Sequence, residues 1–151
     1  MSDYRSGDRS DPLLATLAEF RFELRRFLHF SECVAAEAGL HPQQHQLLLQ
    51  VAGAPGNAAV TIAYAAERLG LKHNSTVELV DRSEREGLLT RTADSNDKRR
   101  AILELTAKGR RLLNRLAKDH AQELKIRAPR LIETLESVRS HGSIATGLAT
   151  R

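Results

Sequence analysis

Thr61-Ile62-Ala63-Tyr64-Ala65-Ala66-Glu67-Arg68-Leu69-Gly70 opens the stretch of this chain that decides its fold. It reads as an amphipathic helix stopped by a glycine. Lys72-His73-Asn74-Ser75-Thr76-Val77-Glu78-Leu79-Val80-Asp81-Arg82-Ser83-Glu84-Arg85-Glu86 follows at once, a second helix ended by Gly87. Two short β-like runs come next, Leu88 to Thr92 and Ala101 to Leu105, separated by Ala93-Asp94-Ser95-Asn96-Asp97-Lys98-Arg99-Arg100. Two helices joined by a tight glycine turn, the second opening with small polar groups, are the helix-turn-helix pattern for the DNA major groove. A cationic hairpin directly behind it supplies what a wing needs to reach phosphates or the minor groove. The expected fold class is therefore mainly α with a small β-hairpin wing, and the expected function is DNA-binding regulation.

Outward from this centre the chain is helical. Met1 to Asp11 is polar and predicts a disordered arm. Pro12 suits a helix start, and Leu13, Leu17, Phe20, Leu24, Phe27 or Leu28, and Val34 recur at helical steps to about Ala38, with Gly39 closing the helix. Phe20, Phe22, Phe27 and Phe30 all lie here, so this broadly apolar helix needs covering on more than one side, and a partner subunit is one way to do it. Pro42 starts the next helix, carrying Leu47, Leu48 and Val51 and breaking at Gly53 to Asn57; Val60 is placed to pair briefly with the hairpin as a third strand. Thr106 predicts an N-cap for a long helix through Lys108, Leu112, Leu113, Leu116, His120 and Leu124. Pro129 is expected to interrupt it and open a last helix with Leu131, Ile132, Leu135 and Val138. The expected organisation is a disordered arm over 1–11, one winged-helix domain over 12–139 and a flexible tail over 140–151. Within the domain, 40–105 is the DNA-binding module, while 12–38 and 106–139 are dimerisation helices.

The chain has 151 residues, 41% of them hydrophobic but only 4% aromatic, a balance that suits a helical protein built on Leu, Ala and Val. A net charge of +4 makes attraction to a polyanion plausible, and its placement on the wing and second helix matters more than its size. One cysteine excludes an internal disulfide framework and a multi-cysteine zinc site. No apolar run approaches a membrane span of ~20 residues, and no signal-peptide core is visible, so a soluble cytoplasmic protein is expected. There is no Gly-rich phosphate loop and no nucleophile elbow, so no enzyme activity and no cofactor are expected.

The site residues follow from the two elements. Lys72, His73, Asn74, Ser75 and Thr76 open the second helix, where a reading helix meets base edges. Asn can bond an adenine edge bidentately, Ser and Thr can donate to bases or phosphates, and Lys72 and His73 suit phosphates. The alternative is that Asn74, Ser75 and Thr76 only cap the helix. Val77 and Val80 are expected to pack inward. Arg82 can reach a phosphate or pair with Asp81, Glu78 or Glu86. In the wing, Lys98, Arg99 and Arg100 supply charge and Asp97 braces the hairpin. Cys33 lies four residues after His29, so a redox sensor there is a lesser alternative. His41 and His45 share another face and, with His29 and Cys33, suggest a metal cluster whose convergence the sequence does not establish; no metal site is expected.

Taken in order, these pieces resemble the multiple-antibiotic-resistance regulator (MarR) family of winged-helix transcription factors. The resemblance rests on Leu40-His41-Pro42-Gln43-Gln44, Ala66-Glu67-Arg68-Leu69-Gly70-Leu71, Ser75-Thr76-Val77, Val80-Asp81-Arg82, Glu84-Arg85-Glu86-Gly87-Leu88, Asp97-Lys98-Arg99 and Leu103-Glu104-Leu105-Thr106-Ala107-Lys108-Gly109. Asp97 and Arg99 look like the family's aspartate–arginine pair. The family implies dimeric repressors or activators, often released from DNA by small lipophilic molecules or oxidation. The expectation is a homodimeric repressor on a pseudo-palindromic site in double-stranded DNA, released by a small-molecule effector. A winged helix used only for protein–protein contact is the rival. Ser83 stands where the family has a larger apolar residue, predicting looser packing. His41 replaces a Ser or Thr cap, predicting a loss of roughly 1 kcal/mol.

Overall fold

The computed structural model describes residues 11–141. The expected arm and tail otherwise lie outside the described residues, but their inner ends do not behave as predicted. Asp11 starts a helix, its carboxylate accepting from the Leu13 N–H at 2.9 Å. Ser140 and His141 belong to the last helix.

Five helices and one hairpin follow in order: α1 (Pro12–Glu37), α2 (Pro42–Ala52), α3 (Ile62–Leu69), α4 (His73–Arg85), β1 (Leu89–Ala93), β2 (Ala101–Leu105) and α5 (Ala107–His141). The strands are antiparallel, with Leu89 opposite Leu105 and Ala93 opposite Ala101. Val60 pairs briefly with the hairpin, its carbonyl accepting from the Leu103 N–H at 2.8 Å, but this single bond does not make it a strand of the two-stranded sheet.

Proline does not divide the last helix as expected: α5 runs unbroken with Pro129 inside it. A mid-helix proline costs roughly 3 kcal/mol in lost hydrogen bonding and steric clash. Ion pairs on both sides hold the helix in place. Arg127 binds Glu23 at 3.0 Å and also Glu123, while Arg130 binds Glu19 at 3.0 Å and Glu133 at 2.7 Å.

His41 also departs from expectation. Its Nδ1 accepts from the Gln43 N–H at 3.3 Å, and Gln44 Oε1 accepts from the His41 N–H at 3.0 Å. Imidazole thus completes the reciprocal cap that Ser or Thr would supply, so the expected capping loss is offset.

The chain divides into two compact units, Ser31–Ala121 and the segments on either side of it. Ser31–Ala121 contains the apolar core, in which Leu47, Leu48, Val80, Leu88, Leu89, Leu103 and Leu116 are almost fully buried. In the other unit the described buried residues are polar, Glu23 and Thr134, while Leu14, Leu17, Phe22, Leu28, Leu124, Ile126, Ile132, Leu135 and Val138 are exposed.

The core of the first unit has a polar inclusion. His45 is buried, with its ring 4.7 Å from that of His120. The nitrogens of His120 lie 2.6 Å from the Leu116 carbonyl and 2.8 Å from the Ser31 hydroxyl. Burial first, and His120 second, push the pKa of His45 down from 6.5 to about 4. The unfolded chain therefore takes up this proton at higher pH than the folded one. Stability should be complete above pH 6.5 and fall by roughly 3 kcal/mol as pH drops toward 4. Urea melts of the wild type and of His45→Leu across that window check this, since the variant should lose the slope.

Gly109 is required by a close approach, because a Cβ there would sit 2.0 Å from the Leu88 carbonyl oxygen. Gly109→Ala should cost roughly 3 kcal/mol by forcing α5 away from the start of β1, a loss that thermal denaturation would register.

Candidate nucleic-acid interface

Helix α3 starts cleanly because the Thr61 hydroxyl accepts from the Tyr64 N–H at 3.2 Å. It stops because Gly70 adopts the left-handed conformation at φ 64°, which turns the chain into α4. Lys72 precedes α4 in extended conformation and makes no side-chain cap. Asn74 and Ser75 do not cap the helix either. His73, Asn74 and Ser75 are exposed, and none has a side-chain hydrogen bond among the described residues.

Thr76 must be separated from this group. It is fully buried and its hydroxyl donates to the Lys72 carbonyl at 3.0 Å, so it cannot reach a base edge. The inward stripe of α4 is Thr76, Leu79, Val80 and Ser83, while Val77 is only half-buried. Ser83 does not leave a polar atom unmet where an apolar residue was expected. It donates to the Leu79 carbonyl at 2.8 Å.

Arg82 is exposed and in no ion pair among the described residues. Two acids considered as its partners are engaged elsewhere, Asp81 with Arg91 and Glu86 with Gln44. With Gln43, Ser75 and Glu78, Arg82 lines a cleft of about 280 Å³ beside the reading helix. Gln43, in the first turn of α2, was not anticipated as part of this surface. Its place at a helix start was the only sequence signal.

The wing is held by carboxylates. Asp97 Oδ1 accepts from the backbone N–H of Arg99 at 3.0 Å and from its Nε at 3.1 Å, while Oδ2 accepts from Nη2 at 3.1 Å. The Arg99 side chain is nevertheless 90% exposed, so the pair orients the cation without hiding it. Lys98 is exposed as well. Arg100, expected beside them as free charge, is instead turned onto the buried Asp94 at 2.6 Å. Asp94 also accepts from the Asn96 N–H at 2.9 Å and had not been anticipated as a brace. The Asn96 N–H first, and then Arg100, hold the Asp94 carboxyl below its ordinary 3.8. Arg99 does the same for Asp97.

A further brace joins wing to helix. Arg91 on β1 binds both Asp81 and Glu84 on α4, the latter at 3.2 Å. Ten residues separate Arg91 from Asp81, and only the register of the hairpin brings them together.

The lesser alternatives fare differently. Cys33 and His29 are exposed. His41 and His45 do not share a site, since His41 caps α2 and His45 lies in the core. Among the described residues no cluster of three or more His, Cys, Asp or Glu could hold a metal ion.

Asp94→Ala should loosen the wing tip without unfolding the protein. The Asn96 N–H and the Arg100 guanidinium lose their shared acceptor, so the Asn96 amide should exchange at least about tenfold faster. Hydrogen exchange by NMR, beside an almost unchanged melting temperature, checks this. Both depressed carboxylates make their contribution above pH 3.8, and it is lost as pH falls below that value.

A profile of the MarR family matches residues 38–100, the span from the end of α1 to the wing. No curated protein matches the chain. Among solved structures, the transcriptional repressor CouR bound to a 23-mer DNA duplex is 31% identical, with 88% of this chain and 86% of that one covered at a TM-score of 0.57. The PcaV transcriptional regulator from Streptomyces coelicolor is 25% identical over 83% of this chain and 96% of its own, with a TM-score of 0.57. Wild-type MarR from E. coli shares the fold, with a TM-score of 0.61 at 20% identity, over 87% of this chain and 96% of that one. With its helix-turn-helix, its braced wing and its flanking helices in the same order, the chain belongs to the MarR family of winged-helix transcription regulators.

Proposed function

We propose that the chain is a homodimeric, sequence-specific DNA-binding repressor, acting in the cytoplasm on a pseudo-palindromic site and released by a small-molecule effector. One observation carries the DNA reading. The exposed and unbonded His73, Asn74 and Ser75 open α4 beside a wing that presents Lys98 and Arg99, and carboxylates fix the position of both. CouR, solved on a DNA duplex, is named a transcriptional repressor, which supports the direction of control. In this reading Asn74 and Ser75 contact base edges, while Lys72, His73, Arg82, Lys98 and Arg99 contact phosphates or the groove. Asp94, Asp97 and Arg100 keep the wing in shape. Residues 40–105 act as the DNA-binding module, and 12–38 with 106–139 as the dimerisation helices.

Dimerisation is supported by where apolar surface remains. Nine of the ten exposed large hydrophobic residues lie outside Ser31–Ala121, on α1 and α5. A face of that kind, beside buried polar residues, fits a subunit interface. Among the described residues no helix is long and apolar enough to cross a membrane, so a lipid-spanning role does not account for it.

Two experiments test the reading. Sedimentation at micromolar concentration should show a dimer; a stable monomer would remove the two-fold arrangement. Mobility shift on a duplex selected from a random pool, and on random duplex, separates the contact types. Asn74→Ala should cost roughly 1–3 kcal/mol on the selected duplex and much less on random DNA. Arg99→Ala should weaken both alike and reduce the salt slope by about one. Binding that does not change with salt would favour the protein–protein rival.

A further inference from the structure

Lys108, Arg111 and Arg115 recur on α5 at three- and four-residue steps, which places them on one face of the helix. With Ala38 and Leu112 they line an open cleft of about 450 Å³ that has no carboxylate in its wall. Arg111 and Arg115 are exposed and make no ion pair among the described residues. Lys108 is tethered, its Nζ donating to the Glu86 carbonyl at 2.9 Å. No ion pair ties Lys108 to Glu86, whose carboxylate accepts from the Gln44 side-chain amide at 2.8 Å.

Like charges at this spacing repel one another, and no carboxylate lines the cleft between them. At 1.5 Å rise per residue the row is about 10 Å long, enough to meet more than one charged group of a ligand. Guanidinium forks match phosphate oxygens in pairs, and a lysine adds a compact charge beside them. Ala38 and Leu112 give the cleft an apolar floor that would suit an uncharged body attached to the phosphates. We infer that this cleft binds a small molecule carrying two or more phosphate groups.

DNA fits the row less well. Lys108 sits at the carboxyl end of α4, whereas His73, Asn74 and Ser75 open its amino end, about 18 Å away along the helix axis. A duplex read by the amino end is not placed to run along α5 at the other.

The test uses the full-length chain and inorganic pyrophosphate, free of metal, in titration calorimetry. Saturable binding that weakens with added salt is expected. Arg111→Gln with Arg115→Gln should lower the affinity at least tenfold at an unchanged melting temperature, and the Arg→Lys pair should restore part of it. Arg21→Gln with Arg25→Gln on α1 should leave it unchanged. The inference is overturned if millimolar pyrophosphate gives no binding, if the α1 pair causes the same loss, or if both α5 pairs bind like wild type. It is also overturned if the α5 glutamine pair weakens binding to random duplex, without pyrophosphate, as much as Arg99→Ala does, since the row would then be part of the DNA surface.

Discussion

Three successive carbonyls just past the end of α4 are taken up by the segment that begins α5. Glu86 accepts from Lys108 Nζ at 2.9 Å, Gly87 from the Thr106 hydroxyl at 2.6 Å, and Leu88 from the Thr106 N–H at 3.1 Å. The last carbonyls of α4 are met locally, Arg82, Ser83 and Glu84 accepting from the N–H groups of Glu86, Leu88 and Gly87, and the carbonyls that follow must find partners elsewhere. Here a single segment supplies them. Gly87 adopts φ 69° to make the turn, and Gly109, lacking a Cβ, lets α5 come close enough to complete it. Helix, hairpin and long helix are therefore joined at one point, and the angle between reading helix and wing is set there and by Arg91.

The cations of the chain fall into two kinds according to what surrounds them. Arg91 and Arg127 are bound by carboxylates on neighbouring elements and act as cross-links, while Arg100 is bound by Asp94 within the wing's own loop. For Arg127 burial alone would favour losing the proton, but hydrogen bonds to Glu23 and Glu123 outweigh it and hold the guanidinium more firmly charged than usual. Lys98 and Arg99, by contrast, present their charge to solvent. A net charge of +4 thus says nothing of which cations face solvent and which are spent on structure.

Much of this was legible in the sequence because glycine and proline mark helix ends through backbone geometry alone. Gly39, Gly70 and Gly87 all have positive φ, each where a helix was expected to stop. Pro129 misled for the same reason, because the rule is local, whereas the ion pairs that hold the helix come from α1, more than a hundred residues earlier. The phase of α4 was only half legible. Val80 marked the buried side, but Thr76 and Ser83 on the same stripe look like surface residues until their hydroxyls are seen to bond carbonyls one turn back. Arg100 and Asp94 could not be paired without the wing's turn geometry, nor Arg91 and Asp81 without the strand register. His41 was misjudged because imidazole is seldom counted as a cap.

The polar atoms that α4 buries on its inner stripe are satisfied by its own backbone, and the side chains that open its outer face are bonded to nothing in the scaffold. The two faces are energetically uncoupled. Exchanging His73, Asn74 or Ser75 for other helix-compatible residues removes no internal hydrogen bond and leaves no buried group unmet. Lineages of such a protein can accordingly vary these three positions at almost no cost in folding. The mutable positions are concentrated on the exposed face at the amino end of α4, and the constrained ones lie a single turn away on the other side of the same helix.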